Sequence, residues 1–564
     1  MLEFINVYQL NYFEIVPIFL CFIFLFRKSH KFENYNITKT NDLFSYLYLL
    51  VFIITSVTLF TFYFDLGRID RGTLPYAGLI YHNHNFLPFI DYGLPTGLIS
   101  YFLSILFSPL ISLNKNLFII LPPLSLSIFV GLITFYYLRK IKYNIFVSLF
   151  VSKICFLSLV FNEIWYNQLA FTILFLSIII YFIKKQFFEK NYVISTLYFS
   201  FSFILIFYTK QDTAAFSLLI FFYLIFKNFN FKKLFLFFLI LLILFILVSL
   251  IINYNFSGLF YWYNYLINDY HGYLLERIFQ FQFLKKLLDQ FVHFKTFFIG
   301  FSIIFFCSSL LKNKNILKIE KFILFFLTVL ASIVISNTSS IYHPNTIMSQ
   351  PTALLLIIFL NINKISYISN YQIKLIDHKK IITILSIFTF LGALNILLLN
   401  NEYYEKVNID RNKYFFYTNS DMARLYNQYD NLIINLTNSI NRKPFVYASN
   451  YFPFYTTKVD FKHIKDTPLY LHEGVTYKKN ETLDIFYENF RKNNYDVIIQ
   501  IEKVTDIPYD NVYGSYTNKI KTFIKDNYLL YSSGKRTFHF CCNNANMDVF
   551  IYLNKSLSKH INPD

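Results

Sequence analysis

The feature that most limits this chain is a succession of apolar runs, each long enough or nearly so to cross the roughly 30 Å hydrocarbon core of a bilayer. They lie at about residues 9–26, 44–64, 117–138, 143–161, 167–183, 192–208, 213–226, 233–253, 296–311, 320–336, 345–360 and 381–399, about twelve in all. Hydrophobic residues make up 55% of the 564, more than one soluble core needs, so the excess must face lipid. Lipid offers a backbone no hydrogen bonds, and each run is expected to satisfy its own amides as a helix. The expected fold class is an α-helical polytopic membrane protein.

Charge orients the runs. A thirteenth apolar stretch, PTGLISYFLSILFSPLIS over 95–112, is interrupted by Pro109, which leaves a segment too short to cross comfortably. If 95–112 dips into the membrane or lies on it, the basic clusters RKSHK at 27, RKIK at 139, KK at 184, KNFNFKK at 227, KNKNILKIEK at 312 and DHKK at 377 all fall on one side. Positive charge marks that side as cytoplasmic, so both termini are expected outside. Residues 65–116 then form a long first outer loop. The segments 162–168, 209–213, 254–295 and 337–345 share the outer face, and so does the tail. No cleavable signal is expected, because acidic rather than basic residues precede the first apolar run.

The chain thus reads as an N-terminal span and cytoplasmic loop (1–43), a transmembrane domain (44–399) and a C-terminal extracytoplasmic domain (400–564). In the tail, strand-like pieces (PFVYAS, DVIIQIE, DVFIYLN) alternate with helix-like ones (LDIFYENFRKN, NKIKTFIKDN), the pattern of a small α/β domain. The 72 Phe and 47 Tyr read as the bias of an A/T-rich bacterial genome, since Phe, Tyr, Ile, Asn and Lys share such codons. A net charge of +18 would suit nucleic acid, but the basic residues sit between apolar runs and serve orientation instead. Cys21, Cys155 and Cys307 lie in apolar runs as small core residues. Cys541 and Cys542 follow His539 without a second ligand pair at zinc spacing.

Charges near apolar spans need something to offset their desolvation, which makes acids and bases at the outer helix ends candidate functional groups. They are Asp65 and Asp70 in FDLGRIDRG with Arg68 and Arg71, Asp91 in FIDYGLPTG, Glu163, Lys210 and Asp212 in FYTKQDTAAF, and His343. Each has a plainer role open to it: solvated interface acid, turn residue, or a local Lys210–Asp212 pair. His82 and His84 in YHNHN would share a face in an extended segment and so offer two ligands to a divalent metal. Lys153 lies mid-span, where it must snorkel or pair within the bundle. The YWYNY run at 261 fits an interfacial aromatic belt.

This arrangement resembles the multi-spanning glycosyltransferases of the GT-C fold. Three places carry the likeness: an acid directly after an early span (Asp65, Asp70), the stretch FLPFIDYGLPTG with Asp91 and Tyr92, and the acid Glu163 in the second outer loop. TKQDT, with Lys210, Gln211 and Asp212, is similar to a Lys-Gln-polar-small element of bacterial members. The pattern departs at Leu66, where many relatives pair the first acid with another, so Asp65 and Asp70 both stay candidates. The resemblance implies an enzyme of the bacterial inner membrane that takes sugar from a polyprenyl-phosphate donor and gives it to a glycan or lipid acceptor, with a divalent metal as the open cofactor question.

Inverting transfer independently needs a carboxylate to accept the acceptor's proton, and positive charge on the departing phosphate. Asp65 or Asp70 suits the first need, and Lys210, Arg68 or Arg71 the second. Three other classes remain, one of them a non-catalytic envelope scaffold. An O-antigen polymerase or ligase would also have about twelve spans, but it usually lacks a large outer tail. A transporter or flippase predicts charges near mid-membrane, where Lys153 alone stands.

Overall fold

The computed structural model describes residues 39–63, 69–87, 98–141, 148–149, 152–153, 166–225, 231–252, 405–408, 415–418, 420–442, 444–448, 487–488, 490–503, 518–540 and 543–560. This part of the protein is mostly helical, with a small four-stranded sheet and a two-stranded hairpin. It falls into two compact units. One is drawn from Met1–Phe60, Pro123–Ile246 and Arg277–Glu402, the other from Thr61–Pro122, Leu247–Glu276 and Tyr403–Asp564. The helices are α1 (Lys39–Tyr63), α2 (Ile69–His84), α3 (Leu98–Leu106), α4 (Leu110–Leu113), α5 (Lys115–Lys140), α6 (Tyr166–Ile183), α7 (Lys185–Lys190), α8 (Tyr192–Phe207), α9 (Gln211–Ile225) and α10 (Phe231–Ile252).

Among the described residues, two helical stretches are long and apolar enough to cross a membrane: Leu117–Lys140 in α5 and Phe231–Val248 in α10. Only 11% of the α10 stretch is buried, and Phe235, Phe238, Leu242, Ile243 and Leu247 stand exposed along it. Water penalises an uncovered apolar helix of this kind, and a bilayer does not. Four further apolar runs form shorter apolar helices, Leu43–Thr58, Leu169–Ile183, Tyr192–Phe207 and Thr213–Leu224. Of the run at 143–161 only residues 148–149 and 152–153 are described, and those at 9–26 and from 296 onward lie outside the described residues. The stretch from Pro95 is broken as its proline implies, into α3 and the four-residue α4, with i→i+3 bonds from Phe107, Ser108 and Leu110 turning the chain.

In the first unit, α1 and α5, α6 and α8, α8 and α9, and α9 and α10 pack antiparallel, while α5 and α6 end on the same side. Tyr46 of α1 meets Phe135 of α5 edge-on at 4.7 Å, and Ile53 lies over Gly131, where a Cβ would come within 2.8 Å of its Cδ1. The two helices are therefore antiparallel and closely packed. Tyr198 of α8 donates to the Ser177 carbonyl of α6 at 3.0 Å, Phe199 packs on Phe221 of α9 at 4.8 Å, and Phe222 on Phe237 of α10 at 5.2 Å. Lys140, ending α5, donates to the Ile183 carbonyl, ending α6, at 2.8 Å. Arg139 and Lys140, Lys184 to Lys190, and Lys232 and Lys233 thus gather at one end of these helices. The turn Tyr208–Lys210 lies at the other.

The tail contains a hairpin, β1 (Glu405–Asn408) with β2 (Phe415–Thr418), then α11 (Ser420–Ile440), β3 (Val446–Ala448), β4 (Val497–Lys503), α12 (Asn518–Asn527), β5 (Tyr528–Phe540) and β6 (Asn543–Asn554). The sheet order is β3-β4-β6-β5, parallel between β3 and β4 and antiparallel elsewhere. All three expected strand pieces and the helix at 518 are found. Val497, Ile498 and Ile499 are fully buried in succession, so β4 is covered on both faces. Helical segments end on left-handed asparagines, Asn441 (φ 51) after α11 and Asn494 (φ 44) after residues 490–493, the conformation asparagine tolerates best after glycine.

Asp496, buried before β4, ties this domain together. It accepts 2.6 and 2.9 Å bonds from the Arg442 guanidinium and a 2.6 Å bond from the Phe445 amide, so the entry to β3 is clamped to the entry to β4. The carboxylate also holds the Arg442 guanidinium above its ordinary pKa. Its own carbonyl accepts the Asn554 amide at 3.0 Å, while the Asn554 side chain donates to Asn494 Oδ1 at 2.8 Å, which joins the end of β6. Arg442 is 48% exposed, so water re-solvates it when the pair is broken, whereas the Phe445 amide loses its charged acceptor. Asp496→Ala is therefore expected to cost about 2–4 kcal/mol and Arg442→Ala only about 1 kcal/mol. Hydrogen exchange at β4 in the detergent-solubilised full chain measures both, and equal costs would contradict this account.

Candidate functional site

The clearest candidate is the turn between α8 and α9. Here the Tyr208 and Lys210 amides donate back to Ile204 and Ile206 at 3.0 and 2.7 Å, closing α8. The Lys210 carbonyl then accepts the Ala214 amide at 3.1 Å, so Lys210 caps α9, and Gln211 and Asp212 form its first turn. Helices begin with amides that have no acceptor inside the helix, and the summed peptide dipoles make that end positive. An acid such as Asp212 is favoured at this position on those grounds alone.

Lys210 is unusual as a cap because its side chain has nothing to accept with. It is also 7% exposed, between buried Thr209 and Thr213. An ammonium in bulk water would not show this burial, so Lys210 is not a freely solvated surface side chain. A cation and a helix N-terminus thus coincide, and both favour a phosphate or carboxylate.

Lys153 is a second buried cation among the described residues of this unit. It is fully buried, donates to the Tyr48 hydroxyl, and lies 4.5 and 4.1 Å from the ring centres of Tyr48 and Phe52. It does not snorkel. Tyr48 went unnoticed in the sequence because 47 tyrosines hide one that has a partner; its place inside an apolar run opposite a mid-span lysine was the available signal.

In the second unit, α2 carries Asp70 and Arg71 in its first turn and His82 and His84 in its last. His82 is exposed and His84 half-buried, its ring 5.5 Å from that of Phe86. The segment is helical where an extended one was expected, and residues two apart on a helix point to different sides. The geometric ground for a shared metal is thereby removed, and no cluster of three potential metal ligands occurs among the described residues. The candidates Asp65, Arg68, Asp91, Tyr92, Glu163 and His343 lie outside the described residues.

What holds α2 in place is its contact with α3 and the start of α5. The Gly78 amide donates to Ser104 Oγ at 3.2 Å, and a Cβ on Gly78 would lie 2.5 Å from the tip of the Phe118 ring and 2.7 Å from that oxygen. Compared with family models, with curated proteins and with solved structures, the chain matches none. The functional reading therefore rests on the residues themselves.

Gly78→Ala is expected to cost about 1–3 kcal/mol in overpacking, against at most about 1 kcal/mol gained in helix propensity. Gly131→Ala should be milder, because only the flexible end of Ile53 has to turn away. Thermal unfolding of the two purified variants checks the order, and a more damaging Gly131→Ala would contradict it.

Proposed function

We propose that this chain is a polytopic glycosyltransferase of the GT-C type, moving a sugar from a polyprenyl-phosphate donor to a glycan or lipid acceptor at the outer face of a bacterial inner membrane. The observation that carries the reading is Lys210, a buried cation capping a helix N-terminus at the end opposite the basic clusters. With those clusters in the cytoplasm, this turn faces outward, at the depth a lipid phosphate takes when its tail stays in hydrocarbon. Departure of that phosphate from the sugar builds negative charge on its oxygens, which the Lys210 ammonium and the first α9 amides stabilise. Asp65 or Asp70 is the general base of this scheme, taking the acceptor's proton as the glycosidic bond forms. Glu163, Asp91 and Tyr92 complete the acceptor side, with Arg68, Arg71 and His343 available to the donor phosphate.

A second reading, a transporter or flippase, draws on Lys153, whose burial mid-span is what such proteins use to hold or move charge. The two cations separate the readings. If sugar transfer is the activity, Lys210→Ala should weaken polyprenyl-phosphate binding about 10- to 100-fold, the worth of one charge-assisted bond. Lys210→Arg should keep part of it. Titration of polyprenyl phosphate into purified protein measures this, and unchanged affinity in Lys210→Ala would remove the residue from the site. Loss of function in Lys153→Met with Lys210→Ala unaffected would favour transport instead.

Orientation is tested separately. Reporters fused after residue 115 and after residue 400 should both be active on the outer side. A cytoplasmic signal after residue 400 would turn the Lys210 turn inward and end the proposal.

A further inference from the structure

At the end of the first unit away from Lys210, a short basic and aromatic collar lies where the headgroups of a bilayer would be. Helix α6 has 18 residues, about 27 Å at 1.5 Å per residue, close to one hydrocarbon thickness. Its last residue, Ile183, therefore reaches one interface when its first lies near the other. The chain does not leave the bundle there. It turns into α7, KQFFEK, which is fastened to the helix ends by Phe188, buried with its ring 5.9 Å from Tyr181 and 4.9 Å from Tyr198.

The neighbouring Phe187 points the other way and is 47% exposed. Around it stand the exposed Lys184, Lys185 and Lys190, and Lys140 is pinned to the Ile183 carbonyl beside them. With Arg139 these are five cations against one carboxylate, Glu189, a formal +4. Glu189 reaches Lys185 at 3.7 Å, but both are about half exposed and the pair is weak in water. An outward aromatic ring at headgroup depth among exposed ammonium groups is complementary to an anionic lipid: the ring enters the acyl boundary while the ammoniums meet the phosphate.

We infer that α7 and the adjoining ends of α5 and α6 form a binding surface for anionic phospholipid headgroups. The surface is independent of whether the chain transfers a sugar. It differs from the general bias of cytoplasmic loops toward positive charge in being held rigid: Phe188 fixes α7, and the Lys140 bond fixes the helix ends against each other.

The test uses the full chain in nanodiscs of phosphatidylcholine with and without phosphatidylglycerol, reading lipid retained per protein by native mass spectrometry after transfer to a neutral detergent. Wild type should retain phosphatidylglycerol in preference to phosphatidylcholine. Each ammonium near an anionic surface is worth about fivefold, so Lys184→Gln, Lys185→Gln and Lys190→Gln together should weaken retention on the order of 100-fold. Lys184→Gln alone, the least disturbing to folding, should weaken it about fivefold. The three Lys→Arg changes should preserve retention, as should the tail variants Lys525→Gln and Lys535→Gln. Inorganic phosphate should not displace the lipid. Unchanged phosphatidylglycerol retention in the glutamine variants, equal retention of both lipids by wild type, or displacement by inorganic phosphate would each overturn the inference.

Discussion

In an apolar phase a peptide group has no partner except another part of the chain, and the helical unit follows from that constraint. It reaches beyond the backbone. Thr134, Ser152, Ser177, Thr196 and Thr209 each donate their hydroxyl to the carbonyl four residues earlier, at 2.6–2.7 Å. Hydroxyls satisfied within their own helix ask nothing of the neighbouring helix, so small side chains can line the contacts and let helices approach closely. Gly131 under Ile53 is the extreme case, with no side chain at all. Aromatic rings then fill the remaining space, as in the chain of contacts from Tyr181 through Phe199 to Phe221.

The same constraint makes each buried cation conspicuous. Lys153 meets it in part with a phenol oxygen and two ring faces, which stabilise an ammonium. Lys210 sits where a chain turn exposes helix ends, and there the environment is polar by construction. The contrast gives the two lysines different prospects. One is enclosed mid-helix against aromatic rings, and the other is buried at the turn that joins two helices.

Much of this was legible in the sequence, for reasons that can be named. Charge parity predicted the up-and-down order that the contacts of α5, α6 and α8–α10 follow, because basic clusters recur on every second connection. Pro109 announced the break between α3 and α4. In the tail, VIIQI and VFIYL declared themselves as strands through β-branched and aromatic content. Strand β5 did not, since SSGKR in its middle reads as a turn, and what makes it a strand is twelve paired residues of β6. YHNHN, where a shared face for His82 and His84 needed an extended segment, is helical through His84, and only Asn85, at φ 57, leaves the helix. The candidate site was legible as a list of charges, but burial is a tertiary property, and nothing in TKQDT distinguishes an enclosed lysine from a solvated one.

The two ends of the helical unit also constrain each other. If the collar at α7 is held at headgroup level, helix length fixes where the opposite turn must lie. Helix α8 rises from that collar with 16 residues, about 24 Å, which falls short of the roughly 30 Å hydrocarbon layer. Lys210 then lies a few ångströms below the opposite interface, and the N-terminal turn of α9 comes with it. An ammonium at that depth attracts an anion more strongly than one in water, and the anion that can reach it most readily is one already anchored in the same leaflet by a lipid tail. Under the proposed function, anchoring one end of the bundle and binding lipid-linked phosphate at the other are connected by a single length, that of α8.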